Sequence, residues 1–139
     1  MPGEGKPRYP NELSTTGAIT DATTKARIAA QAAADKKGEE VLVLEVGTIM
    51  GIVEHFVVTS APNTRQVRTI VDEIEKQMRE QALAKPRSVE GLTDASWVLV
   101  DYGDVVVHVF LDETRAYYDL DRLWGDVPRL DVPATQAAT

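Results

Sequence analysis

The 139-residue chain contains no cysteine. Disulfide frameworks and thiolate-bound metal sites are therefore excluded, and the composition suits a reducing compartment, so a cytoplasmic location is expected. Histidine is nearly as scarce. His55 and His108 are the only two, and they form no H-x-x-x-H or comparable ligand spacing. Long apolar runs are missing as well. The blocks present, such as Val41–Leu44, fall far short of the roughly 20 residues of a membrane span, and no membrane partner is expected. Gly47 and Gly51 lack the context of a phosphate-cradling loop. Positive charge is in deficit, with 15 Lys and Arg against 22 Asp and Glu and a net charge of -7. Such a field does not attract phosphates, so little direct nucleic-acid contact is expected. A basic protein partner fits better, although acidity that serves solubility alone is the plainer explanation.

What is present is the material of one ordinary domain: 43% hydrophobic and 27% charged residues. The Gly-, Pro- and polar-rich residues 1–19 are expected to be a disordered extension, residues 20–128 the folded domain, and residues 129–139 a disordered tail. Thr20 is a plausible cap for a helix whose Ala22, Ala26, Ala29, Ala30 and Ala33 share one small-residue face, with Gly38 as its stop. VLVLEV (Val41–Val46) and FVVTS (Phe56–Ser60) read as strands, separated by a glycine-bracketed loop. The clearest helix runs from about Thr64 to Leu83, with Val67, Ile70, Val71, Ile74 and Met78 on one stripe. A short edge strand is expected near Ser88–Val89. Trp97–Asp101 and Val105–Phe110 are then two strands around a turn. After Asp112, a candidate cap, ETRAYYDLDRLW reads as one short helix or two helical turns ending at Gly125. The order implies a single α/β (α+β) domain with a mixed sheet of about five strands and flanking helices.

Two aspartates and a histidine interrupt the valine-rich stretch WVLVDYGDVVVHVF, Trp97 to Phe110. An even loop with Asp101 opposite Asp104 places Trp97, Leu99, Asp101, Asp104, Val106 and His108 on one face. Val98, Val100, Val105, Val107 and Val109 then form the other, which must be core. The mixed face resembles a contact surface. Asp101 facing Asp104 would be repulsive, so a backbone turn bond, a nearby arginine or a basic partner should offset it. Six of the eight aromatics lie between Trp97 and Trp124, and residues 101–131 hold eight acidic side chains against three arginines. Aromatics beside acids suit docking on a basic protein. Phe110 and Trp124 are expected instead to anchor the terminal helix to the sheet. Asp101 and Asp104 could also hold magnesium weakly, but that spacing is nonspecific. Neither Ser60 nor Ser96 sits in a nucleophile elbow.

DKKGEEVLVLEV (Asp35–Val46), HFVVTSAPNTRQVRTIVDEIE (His55–Glu75), WVLVDYGDVVVHVF and YYDLDRLW (Tyr117–Trp124) together resemble the ribosomal silencing factor family, also called Iojap, over residues 21–128. The resemblance implies a nucleotidyltransferase-like fold without transferase activity, and no cofactor or metal. Transferases of that fold carry a Gly-Ser turn and an alternating Asp-x-Asp on a strand. Here the aspartates lie three apart across a turn. The resemblance further implies binding to ribosomal protein L fourteen on the large subunit, a steric block to small-subunit joining that lowers translation when nutrients are scarce, and a homodimer when free. On this reading Trp97 is the aromatic anchor, and Asp101 and Asp104 pair with partner Lys or Arg. Tyr102, His108, Tyr117 and Tyr118 form the rim. The alternatives are a residual metal-dependent nucleotidyl or phosphoryl transferase using Asp101 and Asp104, and a dimeric scaffold with no ribosomal role.

Overall fold

The computed structural model describes residues 20–132. Helix α1 (Ala22–Asp35) leads into β1 (Glu39–Glu45), the single turn α2 (Gly47–Met50) and β2 (His55–Ala61). Helix α3 (Thr64–Ala82), β3 (Ser88–Glu90), β4 (Trp97–Asp101) and β5 (Val105–Leu111) follow. The short helices α4 (Asp112–Tyr118) and α5 (Leu120–Leu123) and the strand β6 (Arg129–Leu130) complete it. Six strands form one mixed sheet in the order β3-β4-β5-β2-β1-β6, rather than about five. Only β2 and β5 pair in parallel; every other described pairing is antiparallel. The extra strand comes from Arg129–Leu130, which pairs with β1, while Val132 beyond it is buried. The expected tail boundary at residue 129 is thereby corrected, because a two-residue strand gives too little pattern to read. The disorder expected of residues 1–19 and 133–139 lies outside the described residues.

Local chemistry accounts for the helix ends. The cap of α1 is Asp21, one residue after the expected Thr20, and its carboxylate accepts from the Thr24 amide at 2.8 Å. Asn63 does the same for α3, accepting from the Gln66 amide at 2.8 Å. At the end of α1 the left-handed residue is Lys37 (φ 65°), not glycine. Gly38 is needed for a different reason: a Cβ there would lie 2.6 Å from the Thr59 hydroxyl oxygen and 2.9 Å from the Ala33 carbonyl oxygen. Asp112 is the first residue of α4 rather than its cap; Leu111 takes that place with extended backbone. The expected loop at Gly47–Gly51 is the helical turn α2.

The sheet buries both faces unequally. On one side α1 and α3 lay the alanine face and the Val67, Ile70, Val71, Ile74 and Met78 stripe over Val43, Val57, Val98, Val100, Val107 and Val109. On the other a smaller cluster forms, in which Leu120 and Val127 cover Leu44, Phe56, Val58, Val106 and Phe110. Trp124 packs edge-on against Phe56, with ring centroids 5.4 Å apart. Helices therefore cover one face fully, while on the other Trp97 and Leu99 of β4 stay half-buried.

Candidate functional site

The hairpin β4–β5 sets the geometry of this half-covered face. Trp97 lies opposite Phe110, Leu99 opposite His108 and Asp101 opposite Val106. The loop is even, so the valines segregate as expected, but the register is two residues away from the pairing of Asp101 with Asp104. Tyr102 continues the ladder, its amide donating to the Val105 carbonyl at 2.9 Å, and the turn is Gly103–Asp104. Glycine suits that turn because its φ is 93°. The expected repulsion does not arise. Asp101 accepts from the Gly103 amide at 2.7 Å, which is the backbone turn bond. Asp104 reaches Lys25 of α1 at 2.9 Å, although α1 packs on the opposite face of the sheet.

This register corrects the place of Tyr102. It alternates onto the helix side, is buried in the larger core, and cannot serve as a rim contact. Burial, followed by the nearby Glu75 carboxylate, raises its hydroxyl well above the ordinary tyrosine range. His108 is on the expected face but only 6% exposed, so it acts from beneath the surface. Its Nδ1 lies 3.2 Å from the Trp97 indole N–H. Because the indole can only donate, Nδ1 must accept and the ring proton belongs on Nε2. Phe56 meets the imidazole edge-on at 4.7 Å.

Trp97 is thus held on three sides. Its ring centroid lies 4.9 Å from Phe110 below and 4.9 Å from Tyr118 of α4, and its N–H is fixed by His108. Tyr118 meets Tyr117 edge-on at 5.0 Å. These tyrosines are 53% and 81% exposed. With Ser96, Trp97, Glu113 and Thr114 they line a shallow hollow of about 490 Å³. The structure therefore brings together Trp97, His108, Tyr117 and Tyr118, and leaves Asp101 further along the same face. Sequence reasoning missed the Trp97–Tyr118 contact, because it depends on where α4 lands. It also missed Lys25, which is remote in sequence from its partner Asp104.

Burial holds the His108 pKa down from 6.5 to about 4. A depressed folded-state value means that stability is fully present above the unfolded value and is lost as pH falls. Between pH 6.5 and about 4 the unfolded chain takes up a proton that the folded chain refuses, a linkage of about 3 kcal/mol. His108→Gln keeps an acceptor for the indole but cannot titrate. Urea denaturation across that window is expected to show a shallower loss of stability in the variant. Equal slopes would show that His108 does not carry this dependence.

A family model described as "Ribosomal silencing factor during starvation" matches residues 19–139. The chain belongs to the ribosomal silencing factor family. The silencing factor of Bacillus subtilis is 42% identical over 106 residues, covering 76% of this chain and 89% of that protein. The chloroplastic protein Iojap of Zea mays is 33% identical over 104 residues, covering 75% of this chain and 45% of that longer protein. Among solved structures, protein CV0518 from Chromobacterium violaceum superposes with a TM-score of 0.72 at 32% identity, covering 76% of this chain and 87% of that one. The fold described above is that of this solved relative, and the Bacillus subtilis relative is named for ribosomal silencing rather than for an enzymatic activity.

Proposed function

We propose that this silencing factor docks on ribosomal protein L fourteen of the large subunit through its Trp97 face. By occupying that place it keeps the small subunit from joining and lowers translation when nutrients are scarce. One observation carries the reading: Trp97 is locked on three sides yet partly exposed, beside exposed tyrosines, on the sheet face that helices leave half-covered. A side chain already fixed in its bound position loses little entropy on docking, which is how aromatic anchors act. Glu113 lines the hollow beside Trp97, Glu90 lies opposite Leu99, and Asp101 sits further along the same face; these acids suit a basic partner. A mouse relative, 31% identical over 94 residues, is named mitochondrial assembly of ribosomal large subunit protein 1, which favours the large subunit.

The protein acts without making or breaking bonds. Asp101 is engaged by its own turn and Asp104 by Lys25, so the two carboxylates serve the hairpin and do not converge. Of the two, only Asp101 remains on the docking face as a rim charge; Asp104 is already neutralised. A homodimer when free, a cytoplasmic setting and little direct contact with nucleic acid complete the proposal. Binding of purified L fourteen, measured by titration calorimetry, tests it. Saturable binding that weakens with salt is expected, and no binding at low salt would overturn the assignment of this partner.

A further inference from the structure

The segment between β1 and β2 exposes aliphatic side chains that the fold does not use. Ile49 is 64% exposed and Ile52 80%, within four residues of each other, and Met50 between them is also exposed. The segment is held rather than loose. The Met50 amide donates to the Val46 carbonyl at 2.8 Å, the Gly51 amide to Gly47 at 2.9 Å, and the Val46 amide to Glu54 at 3.0 Å. The Glu54 amide in turn donates to the Asp104 carbonyl at 2.8 Å, tying the segment to the hairpin turn. Val46 and Val53, which bracket it, both pack into the smaller core cluster with Trp97 and Leu99. The segment therefore sits at one end of the same half-covered face.

Its charge is one-sided. Two glutamates, Glu45 and Glu54, border the segment, and no lysine or arginine lies between them. Glu45 lies four residues before Ile49 and Glu54 two residues after Ile52. An aliphatic knob with an acidic collar fits a basic surface that offers an apolar recess. Distance permits one partner to meet both ends: β5 from Val105 to Phe110 spans about 17 Å. A standard interface of roughly 800 Å² per partner is wider than that.

We infer that Ile49 and Ile52 form a second anchor for the same basic large-subunit protein that Trp97 engages. This rests on the docking reading above and deepens it: the partner spans the face from the Trp97 end to the α2 end. The test compares the full chain with the double variant Ile49→Ser/Ile52→Ser, with Glu54→Lys and with Trp97→Ala. Affinity for purified large subunits and self-association by sedimentation equilibrium are read for each. Both isoleucines are solvent-exposed, so the double variant is expected to melt with the parent, and Glu54→Lys probes the same collar without touching them. Loss of about tenfold or more in affinity by the double variant, with a smaller, salt-sensitive loss for Glu54→Lys, supports the inference. Unchanged affinity in both, with Trp97→Ala impaired, overturns it and leaves the docking reading standing. Unchanged affinity with self-association abolished would assign the knob to a second copy of the chain and overturn it as well. If no variant, Trp97→Ala included, affects binding, the docking reading fails with it.

Discussion

Trp97→Ala is expected to weaken binding to the large subunit by about thirtyfold or more, the loss typical when a central aromatic anchor of about 2 kcal/mol or more is truncated. The reason is structural as much as chemical. Removing the indole takes away the platform and also frees Tyr118, which packs against it at a tilt, and His108, whose Nδ1 accepts the indole N–H hydrogen bond. Trp97→Phe separates these effects. It keeps an aromatic surface on Phe110 and Tyr118 but drops the bond to His108, and it should retain most of the affinity while losing some stability. Equal affinity for the parent and Trp97→Ala would remove Trp97 from the docking surface.

Arg115→Ala is expected to cost about 3 kcal/mol of folding stability, read as a lowered urea midpoint with an unchanged slope. Arg115 is buried at the foot of α4 and makes five hydrogen bonds. Its guanidinium grips Asp121 with both arms, Nε at 3.2 Å and Nη2 at 2.8 Å. It also donates to the Ser60 hydroxyl at 3.1 Å and to the carbonyls of Glu39 at 3.1 Å and Glu40 at 2.9 Å. One side chain thereby joins the start of β1, the end of β2 and the α4–α5 corner. Truncation leaves each of those groups short of a partner. Lysine restores the charge without the planar fork, so Arg115→Lys should recover only part of the loss. Because α4 carries Tyr117 and Tyr118, binding should weaken along with stability. A loss below about 1 kcal/mol would mean that water replaces these bonds and that the corner is held by packing alone.

Arg115 also marks where sequence reasoning stopped. In ETRAYYDLDRLW an arginine reads as solvated surface, and nothing local shows that carbonyls from residues 39 and 40 will surround it. The long helix was legible because five apolar residues at helical spacing leave no other face to bury. The valine face of the hairpin was legible because alternation survives a register shift of two. That same shift misplaced the aspartate pairing. It also put Tyr102 in the turn, when it is the last paired residue on the core side. β6 was illegible because two residues cannot show a period. The anchor Trp97 could be nominated from its company on the strand. Its clamp by Tyr118 could not, since that depends on where α4 lands as it leaves β5.

On the proposed reading the protein keeps two subunits apart by covering one of them. Sedimentation of mixed small and large subunits, at a magnesium concentration that favours joining and with saturating protein, tests it most directly. A diminished whole-ribosome peak is expected, with the protein travelling with the large subunit. A whole-ribosome peak of unchanged size, with the protein bound, would contradict it.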